Sequence, residues 1–198
     1  MLRGTKALDP DLVAWYFDLL GPVDRVLDLG CGQGDIGRYR PKRVRCVIGA
    51  DMAEETLRAA AGHEAVCGWD GDSGVLPFRD EIFDAIVAKD VLEHLLRPWL
   101  IVAEMHRVLR SGGRVIASVP MARSRAVWAD YTHMRGFTRA ALRAMFEDQG
   151  FLVEKPLPMG GLPLAGRAGL VRSLPRILAI PPLGWLFGSS YMIVATKA

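Results

Sequence analysis

The chain has 198 residues, 51% hydrophobic and 24% charged, with a formal net charge of +3; this composition suits a folded chain with one substantial core and excludes an intrinsically disordered one. The charge excess is too small to imply nucleic-acid binding, and the sequence shows neither a basic segment followed by an apolar signal core nor an apolar run of the roughly 18 residues a membrane span needs. Cys31, Cys46 and Cys67 lack metal-type spacing and are an odd set for disulfides, so reduced thiols and a cytoplasmic location are expected.

Asp9-Pro10 starts the first predicted helix, with the carboxylate as N-cap and proline at the first helical position. Leu12, Val13, Tyr16, Phe17, Leu19 and Leu20 give it an apolar face before Gly21-Pro22. A strand over Arg25–Leu29 then opens into Gly30, Gly32 and Gly34, and Gly37 and Pro41 leave only a turn or two of helix before a second strand at 44–50. That strand leads into Asp51, seventeen residues after Gly34. Glycines at such a bend let the backbone approach a ligand closely, and an acid ending the next strand can accept hydrogen bonds from a ribose diol. The loop reads Asp28-x-Gly30-x-Gly32-x-Gly34 rather than G-x-G-x-x-G, with an acid where a pyrophosphate would need positive potential. A carboxylate there suits a cationic ligand group better than a phosphate.

Further strands are predicted at 65–69, 85–89 and 114–119. Between the last two, a helix over 99–110 carries Leu100, Ile101, Ala103, Val108 and Leu109, with Ser111-Gly112-Gly113 as its stop. Another helix, from about 139 to 149, has Thr138 as N-cap and Leu142, Met145 and Phe146 on one face, and strands at 151–155 and 191–197 follow. Alternating strand and helix predicts an α/β fold whose mostly parallel sheet is covered on both faces. The simplest organisation is one domain over 1–198 with an insertion at about 156–189. There Leu170, Val171, Leu174, Ile177 and Leu178 share a helical face interrupted by Pro175, while Arg167, Arg172 and Arg176 have no acid among them. The segment reads as a lid or as a peripheral membrane contact through 165–187; Pro181-Pro182 argues against a spanning helix.

Several stretches in order carry a resemblance: 26–34, Gly49-Ala-Asp51, 71–78, Phe83-Asp-Ala-Ile-Val87, Asp90-Val-Leu-Glu-His-Leu95 and 107–114. The chain resembles the class I S-adenosylmethionine-dependent methyltransferases of small-molecule type, in particular the ubiquinone and menaquinone biosynthesis group. The resemblance implies a Rossmann-like seven-stranded sheet whose last strand is antiparallel. It implies S-adenosylmethionine as cofactor, with Gly30, Cys31, Gly32 and Gly34 passing beside its methionyl part, Asp28 acting on the ammonium directly or through water, and Asp51 taking the ribose. Met52 is a candidate for the adenine edge. Asp72, with Ser73, matches the family's acid near the adenine amino group, although Asp70 is close enough to take that role. Asp90 would face the reacting end. Glu93 and His94 follow it and cannot both point the same way from a helix, His94 being the commoner candidate for facing the site.

A sulfonium makes its methyl group electrophilic, so the protein must mainly align a nucleophile, and neither a metal nor a covalent intermediate is expected. The base is sought in 128–138, where the resemblance pairs Asp130 with His133: His133 would take a proton and Asp130 orient it, favouring an oxygen or nitrogen acceptor over carbon. His133 as a structural cap stays open beside this. Trp128 and Tyr131 are candidates for lining an acceptor pocket. The acceptor itself, a small molecule of lipid, quinone, sugar-linked or water-soluble type, is not named by the sequence. A non-catalytic S-adenosylmethionine-binding scaffold is the alternative.

Overall fold

The computed structural model describes residues 7–53, 62–125, 127–154, 156–160, 183 and 187–198. The apolar and arginine positions of the insertion, Arg167 to Ile177 and Leu178, lie outside the described residues, as does Pro181-Pro182.

Helix α1 (Pro10–Leu20) begins where Asp9 accepts a hydrogen bond from Asp11 N and ends at Gly21, whose φ of 75° takes the chain out of the helix. Strand β1 (Arg25–Leu29), the four-residue helix α2 (Asp35–Arg38), β2 (Cys46–Asp51) and β3 (Ala65–Gly68) follow. Strand β2 starts later than the sequence suggests because 41–44 is a turn, with Val44 N donating to Pro41 O at 2.9 Å. After β4 (Phe83–Lys89), α3 (Pro98–Val108) runs directly into β5 (Leu109–Pro120). Helix α4 (Arg139–Glu147) has the expected Thr138 cap, its side chain accepting from Ala141 N. The chain then adds β6 (Phe151–Val153), β7 (Leu157–Gly160) and β8 (Gly188–Lys197).

The sheet order is β3-β2-β1-β4-β5-β8-β6, with β7 also paired to β8. Strands β1 to β5 pair in parallel and β8 runs antiparallel to β5. Strands β6 and β7 pair with different stretches of β8, so two short strands occupy the place of one, and the sheet has eight strands rather than seven.

Side chains alternate across the sheet as the strand period demands. Leu27, Leu29, Ile86, Ala88, Val115 and Ala117 face a core shared with Ile101, Met105, Leu142 and Phe146 of α3 and α4. Val26, Val47, Ala85, Val87, Ile116 and Met192 face a second core with Val13, Tyr16 and Phe17 of α1. Burying a side chain the size of Phe17 or Phe146 stabilises the fold by about 1.5–3 kcal/mol. The order reverses at β1, whose neighbours are β2 and β4, and open parallel sheets bind ligands at the carboxyl ends of strands at such a point.

Candidate active site

The tips of β1 and β2 are tied together through the glycine loop. Gly30 N and Cys31 N donate to Ala50 O at 2.7 and 3.1 Å, while Asp51 Oδ2 accepts from Gly32 N and Oδ1 from Ala53 N, both at 2.9 Å. Gly30 has φ +72°, and a Cβ there would overlap Val91 Cγ2, so the loop fits against the β4 tip only without a side chain. Gly49 does the same for Cys31: a Cβ there would lie 2.8 Å from the Cys31 Sγ. Cys31 is buried, and that burial, with Asp28 and Asp51 adding to it, pushes the thiol up to about 12, which keeps it protonated and unreactive.

Asp28, expected to act on the ammonium directly or through water, is committed to a side chain of the protein itself. It shares the face of Val26 and is turned inward, its Oδ2 lying 2.9 Å from Nε2 of a His63 side chain with no exposed surface. Burial raises the Asp28 pKa, with the His63 hydrogen bond pulling it back. The carboxylate anchors residue 63 under the loop, and only 5% of its side chain is exposed. His63 carried no local sequence signal, because the pair joins residues 35 apart.

Met52 is 53% exposed. It lies beside the turn Gly71–Ser73, where a Cβ on Gly71 would stand 2.7 Å from Met52 Sδ. Asp70 caps that turn through Asp72 N at 3.1 Å, whereas Asp72 Oδ1 accepts from Leu96 N at 3.0 Å and holds the chain after β4. Ser73 Oγ donates to Asp70 O at 2.6 Å.

Asp90 takes φ 54°, a left-handed conformation uncommon outside glycine and often found at functional sites. It is held there by Asp90 N donating to Ser118 O at 3.0 Å, by Ser118 Oγ donating to Asp90 Oδ1 at 2.9 Å and by an ion pair with Lys89. The 3₁₀ turn Leu92–His94 then buries Glu93, whose carboxyl is pushed up to about 8 by burial and by Asp90. Met134 N donates to Glu93 O at 2.8 Å, which docks the 130–134 loop on this turn. His94 and His133 meet edge to face with centroids 4.7 Å apart; burial and His133 lower the His94 pKa.

The loop corrects one expectation. The acceptor that orients His133 is Val127 O, 2.7 Å from Nδ1, whereas the Asp130 carboxylate receives Thr132 N at 2.9 Å and Thr132 Oγ1 at 2.7 Å. An acid three residues before a histidine in a turn reaches the intervening amide more readily than the ring. Tyr131 and Trp128 are 93% and 63% exposed.

Residues 27–117, which span β1 through most of β5, match the family described as "Methyltransferase domain". This segment is similar to a methyltransferase domain. The chain is 36% identical over 127 residues to a demethylmenaquinone methyltransferase of Mycobacterium marinum (62% of this chain, 54% of that protein). It is 30% identical over 118 residues to a ubiquinone biosynthesis O-methyltransferase of Pseudomonas aeruginosa (56% and 51%). It thus spans about half the length of the curated relatives it matches. Among solved structures the domain's fold is shared with a SAM-dependent methyltransferase from Archaeoglobus fulgidus, at TM-score 0.73, 20% identity and 95% and 92% coverage. A [4+2]-cyclase shares it at TM-score 0.66 and 22% identity, covering 95% of this chain and 80% of that one, so the fold alone does not dictate the reaction. S-adenosylmethionine is the cofactor by which the Archaeoglobus protein is described, and the tips of this domain fit it. Asp51 and Asp90 stand at them and Asp72 in the turn after β3; Lys89 is paired with Asp90, and Arg97 donates to Asp72 O at 3.0 Å rather than standing free. That donor set suits a sulfonium and an ammonium rather than a pyrophosphate.

Proposed function

We propose that the chain is an S-adenosylmethionine-dependent methyltransferase acting on an oxygen or nitrogen of a small molecule. The observation that carries this is the joining of the glycine loop to Asp51 through Gly32 N, beside a proton-handling cluster at the next strand tip. In this reading Asp51 accepts from the ribose hydroxyls, Met52 and the 71–73 turn flank the adenine, and the 30–34 loop runs along the methionyl part. The donor, when bound, supplies a methyl group already electrophilic on sulfur.

The protein's own work is then alignment and proton removal. His133, with Nδ1 committed to Val127 O, keeps Nε2 as the nitrogen able to take the acceptor's proton. The arginines and apolar residues of 165–187 support, from sequence alone, a lipid-linked acceptor and a peripheral membrane contact. Three unpaired cysteines support a cytoplasmic setting; among the described residues no helix is long and apolar enough to cross a membrane.

The test is incubation of purified protein with methyl-labelled donor and a panel of phenolic, sugar-linked and amine acceptors. Labelled product is expected with at least one of them, and His133→Ala should lower turnover about 10²- to 10⁴-fold with donor affinity retained. Donor binding with no transfer to any acceptor would favour the scaffold reading.

A further inference from the structure

The sequence suggests no metal ligand, yet the fold gathers Glu93, His94 and His133 so that one ligand atom from each lies within 4.8 Å of the others. Glu93 is 1% exposed, and its Oε2 is buried without a hydrogen-bond partner. Such an atom costs free energy that native structures rarely leave uncompensated, and a cation beside it removes the cost.

Both imidazoles are already held through Nδ1. His133 Nδ1 lies 2.7 Å from Val127 O, so it carries the hydrogen and leaves the Nε2 lone pair bare. Thr132 Oγ1 donates to Asp130 Oδ1 at 2.7 Å and is therefore an acceptor toward His94 Nδ1 at 3.1 Å. That leaves His94 Nε2 bare as well. Outer partners of this type, a backbone carbonyl and a carboxylate acting through a hydroxyl, are what fix metal-ligating histidines.

We propose that Glu93, His94 and His133 bind one first-row divalent transition cation, with Asp130 and Val127 O as positioning groups. One carboxylate and two neutral imidazoles suit zinc, iron or cobalt and disfavour magnesium and calcium, and three protein ligands leave a coordination position open. Tetrahedral ligation at about 2.0–2.1 Å places donors about 3.3 Å apart, so ligand atoms that lie within 4.8 Å of one another draw together when the cation binds. Where the methyl-transfer reading holds, the open position would take the acceptor oxygen or nitrogen and favour its deprotonated form, the proton passing to solvent. His133 Nε2 serves the cation when one is bound and is the base of the methyl-transfer reading when none is.

The test is titration of EDTA-stripped full-length protein with Co²⁺, followed by visible absorption and calorimetry. One Co²⁺ per chain is expected, displaced by Zn²⁺ and not by equal Mg²⁺. Glu93→Gln and His133→Ala should each weaken binding at least tenfold while far-UV circular dichroism and S-adenosylhomocysteine affinity stay at wild-type values; if His133→Ala does not fold, His133→Gln replaces it. Absence of stoichiometric binding, or binding undiminished in these variants as thiol ligation would give, overturns the proposal. Because donor affinity is measured separately, that result would leave the methyl-transfer reading standing.

Discussion

Asp84 shows how one carboxylate can hold two strands in register. Its Oδ2 accepts from Asp24 N and Arg25 N at 3.1 and 2.8 Å at the start of β1, and its Oδ1 accepts from Arg110 at 2.6 Å. Burial opposes ionisation, but the two amides and Arg110 outweigh it and hold the pKa below the ordinary value. A depressed folded-state pKa gives stability that is present above the unfolded value and lost as pH falls through the folded one. Asp84→Asn should therefore cost about 1–3 kcal/mol at pH 7, a deficit that shrinks only below about pH 4. Denaturation of both proteins across pH 2–7 checks this; a pH-independent deficit would contradict it. Asp51 is the second test at this scale. Losing a charged hydrogen bond worth about 1.5–3 kcal/mol, Asp51→Ala should weaken S-adenosylhomocysteine binding at least tenfold, and calorimetry giving a wild-type affinity would remove it from the ribose.

Elements were legible where local chemistry decides them. The Asp9 and Thr138 caps and the β1 apolar run stand where the sequence puts them, because each depends on neighbours within a few residues. Thr138→Ala should accordingly lower stability by about 0.5–2 kcal/mol, a loss that a shift in denaturant midpoint with unchanged slope would register. Other elements depend on distant partners. Ser111-Gly112-Gly113 reads as a helix stop, yet it lies within β5 as an irregularity between the Phe83↔Leu109 and Ala85↔Arg114 pairs. Leu157–Gly160 falls within the insertion expected at about 156–189, yet it pairs with β8 as an outer strand, where the missing amide donor of Pro158 is tolerated. The site divides in the same way. The glycine loop and Asp51 were legible from spacing, whereas the Asp28–His63 pair, the Val127 O contact and the burial of Glu93 arise only when segments remote in sequence meet.

At the scale of the molecule, the parallel strands bring their carboxyl ends to one edge, and the β1/β4 reversal opens the crevice there. Gly30 sets how closely that crevice is built, since Gly30→Ala meets both a φ of +72° and Val91. Such a variant should lose stability by about 1–3 kcal/mol, from backbone strain or overpacking, and lose donor binding with it; a midpoint equal to wild type would show that the loop is free to move away. The central claim is that these tips hold a positively charged methyl donor through Asp51 and the glycine loop. Isothermal calorimetry of the purified chain with S-adenosylmethionine, S-adenosylhomocysteine and NADH tests it most directly. The account predicts one site per chain for the first two ligands and none for NADH; no heat with either sulfur ligand, or a preference for NADH, would contradict it.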